Sequence, residues 1–440
     1  MADSTDPIVR PRGEHPISRQ AIDPDALKVL YRLRSSGYRA CLVGGSVRDL
    51  LLRRRPKDFD IGTDARPEEI RAIFRNSRLI GRRFRLAHIL FRGGKVIEVA
   101  TFRGRPEALD EPGRDDLLVT SDNTYGTAQE DALRRDFTVN GLFYDIADFS
   151  VIDYVGGLAD LEARLIRAIG DPHVRFREDP VRMLRAVEFS TRLSFAITPG
   201  DYEAILLHRR ELTRSAAPRV SEELAAMLHG GHALPTFLLL RELGLLDVLL
   251  PELADELRAR DEEHPAGAGH LFWALLEVLD AERRRGRSFD EAVPFSLLAV
   301  PQLRAELKRL RPDRAPEPGL VTAKTTEIVD PIALRLALPN ALVHRIKSLL
   351  FAQEKLAHRP EWKASTRRFL FHADFEPALE LFELRALARG KDLPLVREWR
   401  TLQQKVTEAG RSFSPEPATA PAARPRRRRR GPRRRGPPAP

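Results

Sequence analysis

Residues Leu42 to Thr63, LVGGSVRDLLLRRRPKDFDIGT, constrain this chain more than any other stretch. The character of the sequence changes three times in about twenty residues. Tyr38 to Val43 is β-prone and runs into Gly44-Gly45. The spacing then predicts a short helix to Leu52, capped by Ser46. A basic turn follows, Arg53 to Lys57, with Pro56 inside it. Asp58-Phe59-Asp60-Ile61 then alternates acid and apolar residues. On a strand that alternation puts Asp58 and Asp60 on one face, roughly 6.5–7 Å apart.

Each part carries chemistry. Paired glycines let backbone approach a ligand, and amides opening a helix point at an anion. Arg48 adds a guanidinium fork for phosphate. Two carboxylates on one face repel unless a cation lies between them, and Mg²⁺ is held by a couple of carboxylates plus substrate phosphates. Together these suggest metal-assisted nucleotidyl transfer. A surface turn followed by a solvated edge strand is the competing reading.

The pattern G-G-x-V-R-D-x-L-L followed by D-x-D resembles class II nucleotidyltransferases of the polymerase-β superfamily, which comprise bacterial poly(A) polymerases and CCA-adding tRNA nucleotidyltransferases. The resemblance is strong over residues 25–230 and weaker beyond. It implies an α+β fold: a polymerase-β-like head with a mixed or antiparallel sheet, an all-α neck and body, and a disordered basic tail. The expected divisions are a mobile arm (1–24), a catalytic head (25–148), a helical neck (149–230), a helical body (231–408) and the tail (409–440).

Size and composition agree. A chain of 440 residues allows two to four domains. A single cysteine, Cys41, excludes an intrachain disulfide and fits a reducing compartment, hence a cytoplasmic protein. The N-terminus has no apolar core for a secretory signal, and no apolar run is long enough to span a bilayer. Nine arginines in 424–440 account for most of the net charge of +11, so the basicity sits in a tail.

Along the chain, Asp25–Ser35 has helical spacing, and Arg66–Phe74 begins a helix with Pro67 and acids. Phe84–Phe91 and Lys95–Arg103 read as strands joined by Arg92-Gly93-Gly94. Glu98 is a lone acid in the second, either an edge-strand gatekeeper or a third carboxylate; the resemblance implies the latter. Residues 104–127 lack periodicity and suggest a mobile lid. Gln129–Asp145 reads as helical and contains R-R-D-F-T-x-N, a second family motif. That match implies sugar and phosphate contacts from Arg135 and Asp136, with Asp136 near the catalytic centre. Gly141 stands where relatives more often carry Ala or Ser. Gly156-Gly157-x-x-Asp160 resembles the family's hinge between head and neck.

In Arg177–Leu193, Asp179 is the expected N-cap and Pro180 the first helical residue. Arg182 and Arg185, three apart, share a face. E-D-P-x-R-x-x-R resembles the motif that reads the incoming base, implying roles for Asp179, Arg182 and Arg185. From Pro218 the pattern is helical, with expected segments at Arg219–Leu228, Pro235–Leu243, His270–Leu279, Pro331–Leu338 and Val343–Leu356.

The resemblance thus implies template-independent addition of AMP from ATP to RNA 3′ ends. Asp58, Asp60 and Glu98 would hold two Mg²⁺, and Gly44, Gly45, Ser46 and Arg48 the triphosphate. The tail would bind RNA phosphates. CCA addition shares the head motifs, and a non-catalytic RNA-binding protein is the remaining alternative. RLIGRRFRLAHI (Arg78–Ile89), E-D-P-V-R and the polycationic tail favour the poly(A) branch.

Overall fold

The computed structural model describes residues 6–81, 85–104, 124–263, 271–310 and 317–412. The head runs β1 (Ile8–Arg10), α1 (Pro24–Ser35), β2 (Ala40–Val43), α2 (Gly45–Leu51), β3 (Asp60–Thr63), α3 (Pro67–Ile73), β4 (Ser77–Ile80), β5 (Leu86–Leu90), β6 (Val96–Thr101), α4 (Ala128–Arg134), β7 (Leu142–Asp145) and β8 (Val151–Asp153). These strands form one eight-stranded sheet in the order β1-β8-β7-β2-β3-β6-β5-β4. The β3–β6 pairing is parallel and the others antiparallel, so the expected mixed sheet is present.

Local chemistry explains the framework. Asp23 caps α1 by accepting from the Asp25 and Ala26 amides, and Pro24 opens the helix. Ala26, Val29, Leu30 and Leu33 form its buried face. All four residues of β2 are buried, as a central strand requires. The β5–β6 connection turns at Gly93 and Gly94, whose φ values of +76° and +77° favour glycine.

Four expectations are corrected. The N-terminal arm, from residue 6, is part of the fold: β1 pairs with β8, and Ile17 and Ile22 are buried. Asp58 and Phe59 precede β3, so the two aspartates do not share a strand. Gln129–Asp145 is not one helix: α4 ends at Arg134, a 3₁₀ turn spans Thr138–Asn140, and Leu142–Asp145 is a buried strand. Its Leu-Phe-Tyr run suits a pleated, two-sided environment. Gly141 therefore loosens no helix. It ends the 3₁₀ turn, where an added Cβ would stand 2.5 Å from Val155 Cγ2.

The chain continues through α5 (Gly157–Ala163), β9 (Leu165–Ile166), α6 (Pro172–Glu178), α7 (Val181–Leu193), β10 (Ala196–Ile197), α8 (Pro199–His208) and α9 (Ala217–His229). Asp179 ends α6, and Pro180 takes the cap position of α7, one residue later than expected. A helical body follows: α10 (Ala233–Glu242), α11 (Leu245–Leu249), α12 (Pro251–Glu263), α13 (Leu271–Arg284), α14 (Ala292–Leu297), α15 (Val300–Leu310), α16 (Pro318–Arg335), α17 (Asn340–Leu356), α18 (Ala364–Leu370), α19 (Phe375–Arg389) and α20 (Leu393–Ser412). One buried apolar cluster runs from Ile17 to Val406, joining head, neck and body. Near its far end Trp399 is buried and its Nε1 donates to the Leu356 and His358 carbonyls.

Among the described residues, no helix is long and apolar enough to cross a membrane. Most of the expected lid, the G-R-R-F core after Ile80 apart from Gly81, and residues 413–440 of the expected tail lie outside the described residues.

Candidate active site

The site lies where β2, β3 and β6 end side by side. Antiparallel register sets Val43 opposite Asp60, and parallel register sets Ile61 beside Val99. Asp60 and Glu98 immediately precede that pair on their strands, and the Glu98 charge acts on Asp60. Glu98 is half-exposed and lies 3.1 Å from His88 Nε2 on β5. Burial pushes the Asp60 carboxyl up to about 6, aided by the charges of Glu98 and Asp58 and opposed by Arg135. Carboxylates crowded in this way favour a proton or a cation between them.

Asp58 is 73% exposed and stands 3.9 Å from Lys57 Nζ. Among the described residues, no group of three or more His, Cys, Asp or Glu gathers closely enough to hold a metal ion. The expected triad is therefore not closed, because Asp58 lies in the loop before β3. The donor set still fits a hard divalent cation: oxygen ligands only, and mutual repulsion in need of a counter-charge.

The glycine turn is built as read, but two of its side chains serve another purpose. Gly44 has φ +69°, and a Cβ there would meet Arg135 Nη1 at 2.8 Å. Glycine thus admits the Arg135 guanidinium against the turn. Ser46 is buried, and its hydroxyl donates to the Val43 carbonyl at 3.0 Å; the cap of α2 is Gly44. Arg48 is only 2% exposed. Its guanidinium donates to Asp49 Oδ1 at 2.8 Å and Asn140 Oδ1 at 2.5 Å, and lies over the Phe189 ring. Ser46 and Arg48 are not presented to a phosphate. They pin α2 to the sheet, the 3₁₀ turn and α7.

Asp136 is likewise committed. It accepts from Arg185 Nε at 2.8 Å, Asn140 Nδ2 at 3.1 Å and the Phe137 amide at 2.8 Å. Burial alone would raise its carboxyl, but Arg185 and these bonds hold it down to about 2. At neutral pH Asp136 is therefore an ionised partner of Arg185. Asp136 is a strut joining head to neck. Arg185 also donates to Glu223 on α9 at 3.1 Å.

The lattice extends along α6 and α7. Arg182 Nη1 donates to Glu178 and to the Arg175 carbonyl. Asp179 receives both terminal nitrogens of Arg219, at 2.7 and 2.8 Å. Arg175 donates to Glu178 and to the Arg134 and Arg135 carbonyls, tying α6 to the R-R-D-F motif. Burial pulls the Arg175 guanidinium down to about 10. Arg135 keeps its own partners, Asp131 and the Phe143 ring, and remains the cation that acts on Asp60. Sequence reasoning gave no role to Arg175, Asn140, Glu178, Arg219 or Glu223. Asn140 closes one motif already quoted and Glu178 opens another; Arg175, Arg219 and Glu223 match nothing with a chemical signature.

Three family models match successive parts of the chain. The family described as "Poly A polymerase head domain" matches residues 40–167. "Probable RNA and SrmB- binding site of polymerase A" matches 194–257, and "Polymerase A arginine-rich C-terminus" matches 315–435. Poly(A) polymerase I of Salmonella typhi is 38% identical over 97% of this chain and 92% of its own length. That of Escherichia coli O6:H1 (strain CFT073) is 38% identical over 98% of this chain and 92% of its own. The CCA-adding enzyme of Lactobacillus helveticus is also 38% identical, but over 48% of this chain and 51% of its own. In structure, the Bacillus stearothermophilus CCA-adding enzyme in complex with CTP superposes with a TM-score of 0.62 at 28% identity, covering 88% of this chain and 83% of that one. The chain therefore belongs to the bacterial poly(A) polymerases of the class II nucleotidyltransferase family, enzymes that polyadenylate RNA.

Proposed function

We propose that AMP is joined to the RNA 3′ end at the β3–β6 edge, with Asp58, Asp60 and Glu98 holding Mg²⁺. The observation that carries this reading is the crowding of buried Asp60 by the charges of Glu98 and Asp58, which the opposing charge of Arg135 does not offset. Bound there, Mg²⁺ would lower the pKa of the RNA 3′-hydroxyl and neutralise charge on the departing pyrophosphate. The protein's part is orientation. The Gly44-Gly45 turn allows close approach of the triphosphate, and Arg135 supplies a cation at that turn. Asp136 and Arg185 fix the distance between head and neck.

Adenine selection is assigned to the α6–α7 junction. There Asp179 is clamped by Arg219, and Arg182 by Glu178 and the Arg175 carbonyl. The Arg182 guanidinium is bonded through Nη1, and its planar fork of further N–H groups suits a base edge. RNA and ATP are the partners, and the reaction is cytoplasmic. The arginines of 424–440 would add affinity for phosphates without sequence preference.

CCA addition is the second reading, favoured by the structural neighbour that holds CTP. The relatives matched over nearly the full chain support poly(A) instead. The two are separated by incubating the purified full chain with an unstructured RNA and each NTP separately, then sizing the products. ATP alone should yield a long homopolymer, and CTP should be a poor substrate. A product made on tRNA that needs both CTP and ATP and stops at C-C-A would reverse the assignment.

A further inference from the structure

In the helical body, α15, α17 and α19 enclose a cavity of about 210 Å³. On α15, Val300, Leu303, Arg304, Leu307 and Lys308 fall at i, i+3, i+4, i+7 and i+8, so one helix face carries aliphatic and basic side chains together. Leu350 of α17 completes the aliphatic wall, which is buried, while Arg304 and Lys308 are exposed. Gln353 and Glu354 of α17 and Arg385 of α19 supply the other polar groups.

Arg385 is the unusual member. Its Nη1 donates to Gln353 Oε1 at 2.9 Å, and among the described residues that is the one hydrogen bond its side chain makes. Its Nε is buried without a partner. Gln353 is held in turn, because its Nε2 donates to the Leu349 and Ala378 carbonyls and so turns its oxygen to Arg385. Among the described residues no carboxylate forms an ion pair with Arg385, and nearby Asp392 is paired with Arg389 at 3.5 Å. Burial pulls the Arg385 guanidinium down to about 10; the Glu354 charge opposes this, and Arg389 and Arg304 add to it. A guanidinium offers several N–H donors, and a desolvated cation is costly without a counter-charge. The lining side chains set three cations against one carboxylate, Glu354. The cavity is short of negative charge, and its wall is aliphatic.

We propose that this cavity binds a carboxylate carried on a short aliphatic body. The head group meets Arg385, with Arg304 and Lys308 adding positive charge, and the body lies against Val300, Leu303, Leu307 and Leu350. A planar carboxylate suits the guanidinium, and an apolar wall with a few polar groups is the usual make-up of a ligand pocket. Sites for drug-sized ligands run to roughly 300–1,000 Å³, so the occupant here is small or enters by one end only. No lining side chain is aromatic, so the stacking surface used by single-stranded nucleic acid is missing from this cavity. A free branched-chain acid and the C-terminal leucine of a polypeptide share the required chemistry. None of these residues belongs to the polyadenylation site, so the proposal stands independently of the reaction assignment.

The test is calorimetric titration of the full chain and of its Arg385→Gln and Glu354→Gln variants. The probes are isocaproate, its neutral amide, inorganic phosphate, and a short peptide ending in leucine as free acid or as amide. The wild type should bind the free acids saturably, one per chain, and neither amide. Arg385→Gln should weaken that binding by about tenfold or more, as loss of a charge-assisted hydrogen bond implies. Glu354→Gln removes the repelling carboxylate and should tighten it about threefold, the scale of one partly exposed charge pair. That second variant keeps Arg385 and its bond to Gln353, so the site is tested even where Arg385→Gln melts lower. Tighter binding of the peptide would support the proposal with a protein C-terminus as the source, and tighter binding of isocaproate would support it with a free acid. Phosphate binding as well as the acids would overturn it in favour of a nucleic-acid backbone. Equal binding of acid and amide, or none by either acid, would also overturn it.

Discussion

Two sets of charged residues meet at this site, and their electrostatics are opposite. At the sheet edge, Asp58, Asp60 and Glu98 crowd like charges together, and burial and repulsion push Asp60 up to about 6. Behind it, Arg48, Asp136, Arg175, Asp179, Arg182 and Arg185 are each paired with counter-charge or backbone. Family motifs contribute to both sets and do not distinguish them; burial and partners do. Groups left electrostatically unsatisfied are available to a cation and substrate, while satisfied ones set distances. By this contrast Arg48 and Asp136, both bonded to protein partners, stand with the supporting set.

The sharpest break in the comparison is expected at the edge. Asp58→Ala removes an exposed oxygen ligand and should lower Mg²⁺-dependent AMP incorporation at least about 10³-fold, the scale of several kcal/mol of lost transition-state stabilisation. Its melting temperature should barely move, since Asp58 is 73% exposed. Near wild-type turnover would remove Asp58 from the site.

The second effect falls on the supporting set. Asp136→Asn leaves Arg185 with Glu223 alone and should cost roughly 3 kcal/mol of stability at neutral pH. The sign with pH follows from a carboxyl held below its unfolded value. The stabilisation is complete above about 4 and is lost as pH falls towards about 2. Denaturant melts of both proteins across that window should therefore converge at the acid end. A constant gap would mean that the Asp136–Arg185 charge interaction is not the cause.

The smallest effect concerns packing. Gly141→Ala places a methyl group 2.5 Å from Val155 Cγ2 and close to Ile169. A loss of about 1–2 kcal/mol is expected as the pocket adjusts. An equally stable variant would show that Val155 can turn aside freely.

What the sequence made legible follows the same physics. The Gly-Gly turn, the β5–β6 hairpin and the helices α1 and α3 announce themselves through glycine, proline and capping residues, whose preferences are local. The expected role of Glu98 came from the family resemblance, and the register that pairs Ile61 with Val99 leaves Asp60 and Glu98 as the preceding residues of the two strands. The strand at Leu142–Asp145 was hidden, because a short apolar run has no period that separates helix from buried strand. The Arg48–Asn140 contact was hidden because an arginine next to a glycine turn reads the same whether it meets phosphate or Asn140. The Asp136–Arg185 contact was hidden for a related reason: the two residues are forty-nine apart in sequence. Arg175 and Arg219 were invisible, since ordinary arginines acquire their roles from neighbours brought together only by the fold.

The most direct test of the contrast is Asp60→Asn, assayed in parallel for melting temperature and for AMP incorporation in Mg²⁺. Folded Asp60 binds its proton more tightly than the unfolded chain, so its contribution to stability falls as pH rises from about 4 through about 6. Replacing it with a neutral isostere removes that loss at neutral pH. The account predicts a protein that melts no lower than wild type yet incorporates no AMP. Incorporation close to wild type, or a lost activity that merely tracks a lower melting temperature, would contradict it.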